Sequence, residues 1–181
     1  MTKKFFELLI LLAVMVVPIN FANAASQMAP VGIFPFQDLS AKQSNLADAI
    51  QVDSYTLISR ALRKTNKFDP MSRADIMRVF EEFKLQHKFK EAFDPSTLAK
   101  LGKVIGAKYV ILGTITGMGH KGSDTVVYLS LQMIEVETAR IYISGLGTGK
   151  ASDANEAIRK ATRDALDGKD GMLTMLREIS K

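Results

Sequence analysis

Leu98-Ala99-Lys100-Leu101-Gly102-Lys103-Val104-Ile105-Gly106-Ala107-Lys108-Tyr109-Val110-Ile111-Leu112-Gly113-Thr114-Ile115 changes its periodicity at Gly106. Before that glycine, Leu98, Leu101 and Ile105 recur at helical spacing. Upstream, Asp94-Pro95 supplies a capping carboxylate and a proline suited to the first helical position. After the glycine, Tyr109 to Ile115 is almost wholly apolar and rich in β-formers, as a central strand buried on both faces requires. A helix that stops at a glycine and feeds such a strand implies helices packed on a sheet.

The flanks extend this reading. Downstream, Val127, Leu129, Leu131 and Met133 alternate with Tyr128, Ser130 and Gln132, predicting a strand over Val126 to Val136. A third strand is expected over Arg140 to Ser144, joined at Glu137-Thr138-Ala139, so that the three form an antiparallel meander. Ser144 to Ala151 reads as the strand's exit before Ser152, the expected cap of a closing helix. Ala154, Ala157, Ile158, Ala161 and Ala165 give that helix a small-residue face able to approach a sheet closely. Gly168 and Gly171 punctuate it, and Met172, Leu173, Leu176 and Ile179 mark a short terminal amphipathic helix.

Upstream, Val31 to Phe36 reads as a buried strand, with Pro35 marking a sheet edge or the strand's exit. A helix is expected from Leu46 to Lys64, with Ser44 as cap, Asp48 in the first turn and Leu46, Ile50, Leu57, Ile58, Ala61 and Leu62 on one stripe. Arg60, Arg63, Lys64 and Lys67 gather at its far end, where they either complement the helix dipole or bind an anion. Phe68 to Met71 reads as a short extended segment. Ser72-Arg73-Ala74-Asp75 then resembles a capping box, and Ile76, Val79, Phe80 and Phe83 mark the inner face of the helix it opens. Lys84 to Phe93 is polar with interleaved phenylalanines and reads as a loop or frayed end. The order is strand, helix, short strand, two helices, three strands, helices: an α/β (α+β) mixed sheet with helices packed on it.

The N-terminus carries a different message. Lys3 and Lys4 precede an apolar run from Leu8 to Val17, Pro18 breaks it, and Ala22 and Ala24 provide the small residues of a peptidase site. The division expected is a signal peptide over residues 1–24, cleaved between Ala24 and Ala25, a flexible arm over 25–30 and a single domain over 31–181. The run is too short for a spanning helix, which needs about twenty residues. The chain of 181 residues contains no cysteine, which excludes disulfides, thiolate metal sites and acylation on sulfur. The product is therefore expected to be periplasmic and unlipidated, touching membranes only through partners. Its formal charge is +5, or +4 once Lys3, Lys4 and Glu7 leave with the leader. This excess is too small to mark a nucleic-acid binder.

The candidates for chemistry are weak. Gly117-Met118-Gly119-His120-Lys121-Gly122 matches a dinucleotide fingerprint, but a strand follows it where a helix is required, so the glycines fit a β-hairpin. Gly149-Lys150 lacks the first glycine and the final hydroxyl of a phosphate-binding loop. His87 and His120 stand far apart, without ligand-spaced neighbours. Asp167 and Asp170 lack the distal glutamate of a calcium loop. Glu135 and Glu137 share one side of a strand end and read as solvated. No catalytic residue, cofactor or metal site is expected, and the chain reads as a non-enzyme. Lys84, Lys88, Phe89, Lys90 and Phe93 are the candidate partner-binding residues, since aromatics beside cations suit interfaces. A core position for the two phenylalanines remains the other reading.

Three segments carry a resemblance. Val31-Gly32-Ile33-Phe34-Pro35-Phe36-Gln37-Asp38-Leu39-Ser40 is similar to the opening strand and loop of the CsgG/LpoB-like family, which includes the curli-secretion lipoprotein and the lipoprotein activator of penicillin-binding proteins. The stretch from Leu98 to Ile115 resembles that family's helix-to-strand element. Ile134-Glu135-Val136-Glu137-Thr138-Ala139-Arg140-Ile141 resembles its strand-turn-strand, with Ala139 where a glycine is usual. The resemblance implies a three-layer domain of anticodon-binding-domain-like topology that acts by binding. It implies as partner an envelope protein, either a peptidoglycan synthase or a component of curli or other secretion and fibre assembly, with self-association as an option. The alternatives are a subunit of an outer-membrane secretion channel and an envelope hydrolase using Glu135, Glu137 or His120.

Overall fold

The computed structural model describes residues 28–40, 48–86 and 94–179. The leader and its cleavage residues Ala22, Ala24 and Ala25 lie outside the described residues, as do Ser44, Leu46, His87, Lys88, Phe89, Lys90 and Phe93. The elements are β1 (Ala29–Ile33), β2 (Gln37–Asp38), α1 (Asp48–Arg63), β3 (Phe68–Pro70), α2 (Arg73–Gln86), α3 (Pro95–Ile105), β4 (Tyr109–Lys121), β5 (Asp124–Glu135), β6 (Arg140–Ala151), α4 (Ala154–Asp167) and α5 (Met172–Ile179).

The corner around Gly106 forms as its residues require. The Asp94 carboxylate accepts from the backbone N–H groups of Ser96 and Thr97 at 3.1 and 3.0 Å, capping α3. Gly106 ends the helix at φ 74°, a left-handed conformation open to glycine. The N–H of Ala107 then donates to the Gly102 carbonyl, and the chain enters β4.

One sheet of six strands results, in the order β3-β1-β4-β5-β6, with β2 also paired to β4. β1 runs parallel to β3 and β4, whereas β4, β5 and β6 are antiparallel. In the interruption between β1 and β2, Gln51 of α1 stands in for a neighbouring strand. Its Oε1 accepts from the Phe36 N–H at 2.7 Å, and its Nε2 donates to the Phe36 carbonyl at 3.2 Å. Backbone groups that the break leaves unpaired are thereby satisfied.

Strand alternation divides the core into two layers. On one face Val31, Ile33, Ile111, Leu129, Leu131 and Met133 pack with Ile58 and Leu62 of α1, Ile158 of α4 and Leu173 of α5. On the other, Phe34, Val110, Leu112 and Ile134 pack with Ile76 and Phe80 of α2 and Leu98 and Leu101 of α3. The fold is thus a three-layer α+β domain with the sheet between two groups of helices.

Several boundaries differ from expectation. β1 starts at Ala29, which pairs with Phe68, so the end of the expected arm belongs to the sheet. β1 lies between β3 and β4, and Pro35 marks its exit and not a sheet edge. β4 continues to Lys121, and β6 runs to Ala151 instead of stopping at Ser144. The reason in β6 is the meaning of its glycines. Gly145, Gly147 and Gly149 alternate onto the face under α4, where a Cβ at each would strike the carbonyl oxygen of Ala165, Ala161 or Ala157. They permit close helix-sheet contact, opposite the alanine face of α4. That helix is capped by Asp153, whose carboxylate accepts from the Glu156 N–H at 2.9 Å, and not by Ser152. Ile179 is exposed, outside the inner face expected for it.

Candidate functional site

The residues with potential chemistry are dispersed. His120 is exposed near the tip of β4. Gly117 and Gly119 lie within β4, and Gly122, at φ 65°, turns the chain into β5, so the glycine motif builds a hairpin. Glu135 ends β5 and accepts from the Thr138 hydroxyl at 2.8 Å, while Glu137 is exposed in the turn beyond. The two carboxylates therefore do not share a strand side, because the strand ends between them. Among the described residues no group of three or more histidines or carboxylates could hold a metal ion. Of the five candidate partner-binding residues, only Lys84 falls within the described residues, by its backbone in α2.

Helices α2 and α3 pack on β1, β4 and Ile134 of β5, and on the same face Tyr128 of β5 and Leu146 of β6 are exposed among the described residues. Register pairs Tyr128 with Thr148 and Ser130 with Leu146, so the two apolar side chains are diagonal neighbours. The free edge of β6 is partly occupied. The Leu146 N–H donates to the Asp170 carbonyl at 3.0 Å, the Thr148 N–H to Asp164 Oδ2 at 2.9 Å, and Lys160 Nζ to the Lys150 carbonyl at 3.2 Å. These contacts blunt an edge that would otherwise template another strand.

A concave site lies elsewhere, where the C-terminal parts of α1 and α4 meet α5. A cavity of about 480 Å³ opens there over an aliphatic floor of Leu57, Ala61, Leu166, Leu173 and Leu176. Arg60, Lys64, Lys67, Arg163 and Arg177 line it, together with the carboxylate of Asp167. Arg177 engages that carboxylate at 3.6 Å. Among the described residues no ion pair neutralises Arg60, Lys64, Lys67 or Arg163. Arg159, one helical turn from Arg163, is instead held by Asp53 of α1 at 3.9 Å and Glu156 at 3.7 Å.

The sequence singles out the cations at the end of α1 but not their partners. Arg163 and Arg177 sit on helices at the other end of the chain, and no local pattern links them to Arg60. The arrangement offers several cationic donors around a recessed apolar surface. Such a combination of charge and apolar surface is suited to binding.

The model of the peptidoglycan-synthase activator LpoB family matches residues 47–148. No curated protein sequence matches the chain. Among solved structures the chain is similar to the LpoB C-terminal domain from Salmonella enterica, with 18% identity, 70% of this chain and 86% of that one covered, and a TM-score of 0.49. It is also similar to lipoprotein GNA1162 from Neisseria meningitidis, with 16% identity, 84% and 98% covered and a TM-score of 0.49. A third similarity is to the PelC dodecamer from Paraburkholderia phytofirmans, with 12% identity, 80% and 90% covered and a TM-score of 0.47.

Proposed function

Because this chain belongs to the peptidoglycan-synthase activator LpoB family, we propose that it is a non-catalytic accessory protein of the cell envelope that binds a peptidoglycan synthase and raises its activity. The family match over residues 47–148 is the observation that carries this reading. The leader, with its Ala22 and Ala24 peptidase site, supports export to the periplasm and cleavage before Ala25. The lack of cysteine supports an unlipidated product that meets membranes only through its partner. The opening strand and the Gly106 corner support a wider kinship with the curli-secretion branch, without its channel role.

Activation of this kind needs no reactive group. A protein that binds the active conformation of a synthase better than the resting one shifts the population toward activity. A tenfold shift requires about 1.4 kcal/mol of differential affinity, within reach of a modest interface. The test is binding of the purified protein to purified peptidoglycan synthases of its own host, measured by calorimetry. A saturable complex with a synthase is expected, and absence of binding to each of them would overturn the proposal.

A further inference from the structure

We propose that the cavity between α1, α4 and α5 receives an acidic segment of the partner protein, with an apolar side chain on its floor and carboxylates on its cationic rim. This deepens the activator reading and rests on it. Three observations converge. The first is charge: five cations face one carboxylate and the negative ends of helices. Counting about half a charge for the C-terminal end of each of α1 and α4 leaves a surplus of about +3. Dipole compensation accounts for part of the cluster and leaves the remainder available to a ligand.

The second is geometry. Arg60 and Arg163 bring planar guanidinium groups, which bind carboxylates through paired hydrogen bonds. Lys64 and Lys67 add mobile charge beside them. The third is the apolar part of the lining: the half-buried side chains of Leu57 and Ala61 lie beside the cations. A small inorganic anion would leave them unused. A peptide carrying acidic and apolar side chains satisfies both parts of the site.

The probe is a synthetic peptide, acetyl-Glu-Leu-Glu-Leu-Glu-amide, titrated into the isotope-labelled protein and followed by amide chemical shifts. Saturable shifts centred on Arg60, Lys64, Arg163 and Leu176 are expected. Replacing the peptide's glutamates by glutamine, or its leucines by glycine, should weaken binding about tenfold, equivalent to about 1.4 kcal/mol. The double variant Arg60→Glu/Arg163→Glu should lose binding to a similar extent, with its fold checked by circular dichroism. Should that variant misfold, Lys64→Gln/Lys67→Gln replaces it and should weaken binding in the same direction. No binding of the acidic peptide, equal binding of the glutamine peptide, or shifts elsewhere on the domain would overturn the proposal. So would competition by phosphatidylglycerol vesicles that carry the protein down on their own and displace the peptide, since a lipid surface would then be the ligand. A synthase-binding arm separates the two readings. If the natural protein binds no synthase, the activator reading falls; if it binds and the charge-reversed variant binds equally, the cavity proposal falls.

Discussion

Gly149 of β6 lies directly beneath Ala157 of α4, so close that a Cβ on the glycine would strike the Ala157 carbonyl oxygen. Backbone cannot yield as a flexible side chain does. Gly149→Ala should therefore cost about 3 kcal/mol in overpacking or abolish folding. Gly119, in the β4 hairpin arm, has nothing within 4 Å of a built Cβ, and Gly119→Ala should change stability by less than about 0.5 kcal/mol. Urea denaturation of the two variants checks the contrast. Equal midpoints would remove the close-packing account of the glycine stripe.

Asp94 gives the fold an acid-sensitive helix start. Its pKa is lowered from 3.8 to about 2, first by hydrogen bonding with Thr97; burial opposes this, and the Ser96 side chain and the backbone N–H groups of both residues add to the lowering. The folded state thus favours the charged form. The stabilisation is nearly complete above about pH 4 and is lost as pH falls through about 2. Because Asp94 is exposed, solvent limits the effect to about 1 kcal/mol. Asp94→Ala should lose about this amount at neutral pH, only part of it at pH 2, and progressively less below. Thermal melts across that range test it.

Ala139 adopts φ 56° in the turn between β5 and β6, a left-handed conformation unfavourable for a residue with a Cβ. Ala139→Gly relieves about 1 kcal/mol of strain, and the greater freedom of the unfolded chain returns part of it. A net gain of about 0.5 kcal/mol is expected in chemical denaturation. A lower midpoint would mean that the turn is unstrained.

Asp164 guards the β6 edge through its bond to the Thr148 N–H. Asp164→Ala frees that donor beside the exposed Leu146 and should promote edge-to-edge pairing. Size-exclusion chromatography over a concentration series should show larger species for the variant than for the natural chain. Identical profiles would show that the bond does not protect the edge.

Legibility in the sequence follows the range of the forces involved. The capping of α3 by Asp94, the stop at Gly106 and the alternation in β5 are local, and each is readable from neighbouring residues. The alanine face of α4 points correctly to close packing on a sheet. Its complement, Gly145, Gly147 and Gly149, reads as part of a strand's exit until the helix is laid across it. Ser152 and Asp153 are both competent caps, and only the backbone geometry selects Asp153. Gln51 acts as a surrogate strand for Phe36 through a contact between segments 15 residues apart, which no periodicity encodes. The basic cavity was half visible: Arg60, Lys64 and Lys67 form a cluster in sequence, whereas Arg163 and Arg177 join them only through the fold.

The most direct test of the central claim is the rate of glycan-strand polymerisation by a purified peptidoglycan synthase of the same host, measured with and without saturating protein. A severalfold increase is predicted, together with no turnover of peptidoglycan precursors or glycan strands by the protein alone. An unchanged rate with every such synthase, or turnover by the protein on its own, would contradict the account.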